Sequence, residues 1–406
     1  MSESTRTVLL VLLVGLFALV GGRFIFGRRG RSTLFRVTSL AYLALGFILG
    51  ERGWGLLSRG MLGNLEPVVG LALGWTGLLF GLQFELRRLR RYRGRFAWLT
   101  LSQSLWTILL LGAAVLLAWD HTGTAGGSRW PAILLLALAG AAGSPVETAL
   151  AVSASLSVRR KFARLAHYVN SLDSLPPLIL FGLTIGYFHS RAGSGMTAAL
   201  EWLAAALMLG IVLGLLFNSY ARHRHSENEL TMMIIAFTVF SAGIAAYLSL
   251  SSLLIGTVTG VVLANLLPSS ERIFRVLAAR ERPVLIVLLV LVGANWAPIP
   301  AGRLAPAAGL LLLILAVQPL AKLSALAFWR RWLGNELEGA GWSAGLALLG
   351  QGGMSVALVA SYQIHFGAAA EPLAISLALA LVVVAEALGA YAARLAVTGG
   401  EREEAE

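Results

Sequence analysis

Long apolar blocks alternate with short polar gaps along the whole chain, and most blocks match the roughly 20 residues an α-helix needs to cross a bilayer. We read about thirteen spans on that criterion, near 7–27, 33–50, 66–83, 97–119, 130–157, 164–188, 197–218, 230–249, 251–268, 283–300, 305–329, 341–362 and 371–397. No remaining stretch is long enough for a separate soluble domain. The expected architecture is an all-α polytopic membrane protein, with residues 1–397 as one transmembrane domain. Residues 398–406 form a short acidic tail. The first block could also be a signal peptide, but it lacks a clear small-residue cleavage site and arginines follow it, so it is read as a span.

The composition agrees with this pattern: 57% of residues are hydrophobic, 13% are charged, and mean hydropathy is +0.78. The net charge of +12 could suggest nucleic acid. Its distribution argues for topology instead. Arg28, Arg29, Arg31 and Arg36 follow the first span, and Arg87, Arg88, Arg90, Arg91, Arg93 and Arg95 the third. Basic clusters follow the fifth, seventh, ninth and eleventh spans as well, at Arg159–Arg164, Arg222–Arg224, Arg272–Arg282 and Arg330–Arg331. The alternate loops carry few basic residues. The positive-inside rule then places the basic loops and the C-terminus in the cytoplasm and the N-terminus outside, in a cell inner (plasma) membrane. No nucleic-acid partner is expected. Zero cysteines exclude disulfides, thiolate metal sites and cysteine nucleophiles. No cofactor or resident metal is expected, and the chain is not expected to be an enzyme.

Two spans carry breaks. Span five contains Leu138-Ala139-Gly140-Ala141-Ala142-Gly143-Ser144-Pro145, where Gly143 and Pro145 predict unwinding at mid-membrane. Backbone groups freed there must be satisfied by protein, water or an ion. Span twelve has a comparable weak point at Gly350-Gln351-Gly352-Gly353. The two spans are seven apart and so run in opposite directions. Paired breaks in antiparallel halves suit an inverted-repeat transporter with two broken, crossing helices. The alternative is that these glycines merely allow close helix packing.

Ionisable residues inside apolar spans narrow the chemistry. Lys322 is one of two lysines among 32 basic residues and lies within a long apolar helix. A lysine can release its proton when buried, whereas arginine stays charged. Asp173 and Glu147 are its candidate partners. Helical rise puts Asp173 ~13 Å, Lys322 ~10 Å and Glu147 ~15 Å from the inner ends of their spans, so the three can meet near mid-membrane. One carboxylate should pair with the amine. The second then holds either a proton or a cation, which is the competition an exchanger requires. A salt bridge that only fixes helix packing is the alternative. Glu386 could join a proton path or be a protonated packing residue. His167 could relay protons or be a structural histidine near the inner interface. Trp130, Trp296 and Trp329 are expected as interfacial anchors.

Six stretches resemble motifs of one family. Gly77-Leu78-Leu79-Phe80-Gly81-Leu82-Gln83-Phe84-Glu85-Leu86 is similar to its "LF-x-GLE-x-D" border, and Ser144-Pro145-Val146-Glu147-Thr148-Ala149 to its unwound Ser/Thr/Pro stretch. Leu172-Asp173-Ser174-Leu175 resembles its paired-acid motif, and Ile255–Leu263 its "G-x-F-x-AG-x-x-L" helix. Lys322 matches a motif lysine, and Gln351-Gly352-Gly353-Met354 looks like its "QGGE" or "RGE" turn, with Met354 in place of the acid. The family is the monovalent cation:proton antiporters, including bacterial sodium/proton antiporters and glutathione-gated potassium efflux systems.

The resemblance implies a homodimer whose protomers each combine a scaffold part with an ion-carrying core, working by an elevator-like movement. It places Asp173 at the acid that pairs with the lysine. Ser174 stands where the family has its ion- and proton-binding carboxylate. Glu147 occupies a position where some relatives have an acid, so the missing carboxylate is expected there, with Thr148 beside it in the ion-binding set. The implied activity is exchange of sodium or potassium against protons. A sensor or assembly subunit without ion turnover, and a proton-coupled organic-anion symporter with Lys322 on the carboxylate, are the alternatives.

Overall fold

A computed structural model of the chain describes residues 34–86, 94–122, 129–143, 172–189, 195–221, 226–268, 270–296, 299, 301–333 and 352–384. Among them the regular structure is helical, apart from a single bridge between Gly50 and Leu57. The α-helices are α1 (Leu34–Leu49), α2 (Arg59–Asn64), α3 (Glu66–Gly81), α4 (Gly94–Trp119), α5 (Arg129–Ala141), α6 (Leu175–Tyr187), α7 (Met196–Ala221) and α8 (Glu227–Tyr247). They continue as α9 (Ser252–Leu266), α10 (Ser270–Ala278), α11 (Glu281–Ala294), α12 (Leu304–Leu333), α13 (Gly353–Phe366) and α14 (Pro372–Val384). Four stretches are long and apolar enough to cross a membrane by length and composition: Ala97–Thr122, Met196–Ala221, Asn228–Tyr247 and Leu304–Trp329.

The described residues fall into two compact units interleaved along the sequence. The first draws on Met1–Arg91, Gly182–Trp296 and Ala360–Gly367; the second on Tyr92–Phe181, Ala297–Val359 and Ala368–Glu406.

In the first unit, α3 and α9 pack with their backbones in contact. Gly77 and Gly81 on α3 face Gly256 and Gly260 on α9, each pair spaced by four. A Cβ on Gly77 would collide with the Leu253 carbonyl, and one on Gly256 with that of Gly74. In a membrane, where burying apolar surface against a neighbour gains little over lipid, this close approach is what holds a helix pair together. The border stretch Gly77–Leu86 and the helix stretch Ile255–Leu263 therefore meet each other. Asn265 closes the pair: its Nδ2 donates to the Phe84 carbonyl at 2.9 Å, and its Oδ1 accepts from the Leu86 amide at 2.7 Å.

Around this pair lie Trp75, Leu79, Phe217, Ile234, Leu263 and Leu277, all buried. Helix α7 leans on α9 through Gly210, whose carbonyl accepts from Thr259 Oγ1 at 3.1 Å. At the start of α8 a capping box, Ser226 with Glu229, satisfies amides left open in the first turn. The basic stretch around Arg272 and Arg275, read as a loop from sequence, is the short helix α10. It buries Ile273, Val276 and Leu277 on one face.

In the second unit, α4 and α12 pack antiparallel. Trp329 Nε1 donates to Ser102 Oγ at 2.8 Å and Trp106 Nε1 to Ser324 Oγ at 3.0 Å, so the partner's number falls as the position on α4 rises. Trp329 is thus tied to α4, and Trp296 in the first unit packs edge-on against Phe47; both do more than anchor at an interface. Helix α5 is enclosed: from Pro131 to Gly143 every residue but Leu134 is buried. Helix α12 runs through Pro319, which has no N–H to give Leu315.

Candidate ion site

Helix α5 stops at Ala141, with Ala142 and Gly143 outside the helix, beside the weak point expected in span five. A helix that ends among buried residues leaves its last carbonyls without intrahelical partners and out of reach of bulk water. Here side chains supply the partners. Ser355 Oγ of α13 donates to the Ala139 carbonyl at 3.0 Å, and Gln318 Nε2 of α12 donates to that of Gly140 at 3.0 Å. Ser174 Oγ donates to that of Gly143 at 2.9 Å. All these residues belong to the second unit. At the other weak point Gly352 is non-helical and Gly353 opens α13, the Ser355 amide returning to the Gly352 carbonyl at 3.0 Å.

The placement of Ser174 follows from two prolines. Leu172 and Asp173 are helical, Ser174 is a turn, and α6 begins at Leu175. Pro176 and Pro177 occupy the first turn of α6, where a missing N–H costs little. Pro176 and Pro177 have no N–H to give the carbonyls of Leu172 and Asp173, four residues earlier, so the helical ladder cannot run through Ser174. Ser174 caps the helix, its carbonyl accepting from the Leu178 amide at 3.2 Å. A capping serine ordinarily accepts from the second or third amide of its helix. Both positions are proline, so the hydroxyl is released to donate to Gly143.

Asp173, one residue earlier, pairs with Lys322. The Nζ to Oδ2 distance is 3.1 Å, and both side chains are 0% exposed. Ser104 Oγ of α4 donates to the Asp173 backbone carbonyl at 2.7 Å, fixing the turn that presents the carboxylate. Gln318 and Lys322 are four apart on α12 and so share a face. One binds the open end of α5 and the other binds Asp173. The negative end of the α5 dipole, the Asp173 carboxylate and the Lys322 ammonium thereby come from three chain segments, and α4 and α13 hold them in place.

Of the other residues singled out from sequence, Glu147, Thr148, Pro145, His167 and Glu386 lie outside the described residues. Sequence reasoning did not pick out Gln103, Ser104, Gln318 or Ser355, all buried in the second unit. A signal was available for three of them. Thr100, Gln103, Ser104 and Thr107 fall at i, i+3, i+4 and i+7 of an otherwise apolar helix, and Gln318 is one turn from Lys322.

A protein-family model described as "Sodium/hydrogen exchanger, transmembrane" matches residues 8–394 of the chain. Among solved structures the chain is similar to the sodium proton antiporter MjNhaP1 from Methanocaldococcus jannaschii. The identity is 15% and the TM-score 0.64, over 98% of this chain and 99% of that one. At that identity the likeness shows the fold. No curated protein matches the sequence.

Proposed function

The chain belongs to the sodium/hydrogen exchanger family, and from that membership we propose that it exchanges sodium or potassium for protons through the site around Asp173 and Lys322. The observation that carries this reading is the fully enclosed Asp173–Lys322 pair beside an interrupted helix whose carbonyls are held by side chains. Two opposite charges deep inside a membrane protein are expensive to desolvate, and a structural role alone can be filled by apolar residues.

In this proposal Lys322 offsets the charge of Asp173. Glu147 carries the exchangeable proton, because serine at position 174 does not ionise at accessible pH. Ser174 is committed as a donor to Gly143, with lone pairs left to face a cation, and Thr148 contributes a further hydroxyl. Glu386 and His167 are proposed members of the proton path. The chain works as a homodimer in the inner membrane, with the basic loops and the C-terminus cytoplasmic.

The test is proton movement in vesicles holding the purified protein, after an imposed pH gradient and addition of sodium, potassium or an organic anion. Alkali-cation-triggered proton release is the expected result. A response to organic anions alone favours a symporter, and no response to any addition favours a sensor or assembly subunit; either outcome rejects exchange.

A further inference from the structure

Within the second unit, Thr100, Gln103, Ser104 and Thr107 make a polar stripe along one face of α4, and all four are fully buried. Ser104 is bonded to the Asp173 carbonyl, and Thr107 Oγ1 donates to the Gln103 carbonyl at 2.8 Å. The Gln103 side chain stands apart. Neither its Oε1 nor its Nε2 has a hydrogen-bond partner among the described residues. Asp173 is half in the same condition: Oδ2 is held by Lys322, while Oδ1 has no hydrogen-bond partner among the described residues.

Buried amide and carboxylate oxygens are almost always satisfied, because leaving one dry forfeits its hydration with no return. Gln103 and Asp173 belong to the same unit and are linked through Ser104, which neighbours Gln103 on the buried face of α4 and donates to the Asp173 backbone carbonyl. We propose that Gln103 Oε1 and Asp173 Oδ1 are ligands of the transported monovalent cation, and that Gln103 is a specificity-determining residue of the site.

The chemistry suits a hard, singly charged ion. Alkali cations take oxygen ligands, and a neutral amide oxygen adds field strength without a second charge to neutralise. Lys322 occupies the far oxygen of the carboxylate and leaves Oδ1 for the cation. When the cation leaves, water takes its place against Oδ1 and the Gln103 amide. The inference rests on the exchange reading for the identity of the ion, and its test separates the two.

The full-length protein in detergent is heated at constant ionic strength in sodium, potassium or choline chloride, and vesicle exchange is measured alongside. The wild type should be stabilised by an alkali cation over choline. In Gln103→Leu the cation concentration for half-maximal stabilisation should rise about tenfold or more, the loss of one ligand. Its midpoint in choline should be no lower than wild type, because an unsatisfied amide has been removed. Gln103→Glu keeps the size and adds a charge, so the half-maximal concentration should fall and depend more steeply on pH.

An unchanged cation dependence in both variants, or no alkali-specific stabilisation of the wild type, overturns the inference. The first outcome leaves the exchange reading standing if vesicles still exchange. Cation stabilisation that depends on Gln103, without exchange in vesicles, rejects the exchange reading and keeps the site.

Discussion

Lys322 and Asp173 each bury a full charge, and neither is tolerable there without the other. Removing only the amine strands the carboxylate, so Lys322→Ala should lower stability by about 3–5 kcal/mol, the range for breaking a buried ion pair. Asp173→Ala should do comparable damage, and the double variant should lose clearly less than the sum. Thermal or denaturant unfolding of the purified protein measures all three, and additive losses would show that the pair is not coupled. Ser174 has a different role despite lying next in sequence. Ser174→Ala leaves the Gly143 carbonyl without its donor, at a cost of about 1–3 kcal/mol, whereas Ser174→Thr should retain most of the bond. Glu147→Gln should abolish proton flux in vesicles across a pH series while the protein still purifies folded; wild-type-like exchange would move the carrier role to Asp173.

At the scale of elements, two devices recur. Helix pairs are drawn together by glycine, and helix ends are satisfied by side chains of other helices. The first is tested at Gly77, where the α9 backbone lies against the glycine itself. Gly77→Ala forces α3 and α9 apart and should cost about 1–3 kcal/mol, the usual range for overpacking. Gly243, which has nothing within reach of an added Cβ, should accept alanine with little change or a slight gain. Equal unfolding midpoints for the two variants would argue against backbone contact as the organising feature of the first unit. The second device explains why polar residues interrupt apolar helices at Gln318, Ser355 and Ser174. Each supplies the donor that a helix ended at Ala141 cannot find within itself.

For the whole molecule, the proposed topology rests on charge, and the absence of cysteine makes it directly measurable. Arg91→Cys should be labelled by impermeant maleimide only from the cytoplasmic side, and a cysteine placed between 121 and 129 only from outside. Labelling of position 91 in intact cells would invert the proposed orientation. In the proposed orientation the acidic tail 398–406 should be cytoplasmic, and a cysteine placed there should be labelled only from that side.

The apolar pattern by itself determined the class of molecule and most positions of the described helices, and it singled out Asp173 and Lys322, which the fold pairs. These depend on composition within single helices, and a bilayer imposes the same length and hydropathy on each one. The sequence also marked Gly143 as a weak point, and α5 stops at Ala141, two residues before it. It did not show that α6 starts anew after Asp173, although Pro176 and Pro177 were in view. Their effect depends on Ser174 finding an acceptor elsewhere, in the Gly143 carbonyl. Nor did it mark Gln103, Ser104, Gln318 and Ser355 as neighbours of the site. A glutamine or serine in an apolar helix has no fixed meaning until its partner is known. The partners lie far away in sequence: 69 residues separate Ser104 from Asp173, and 178 separate Gln318 from Gly140. Hydropathy and spacing are properties of one helix; which open carbonyl meets which donor is a property of how the helices pack, and only the tertiary structure decided it.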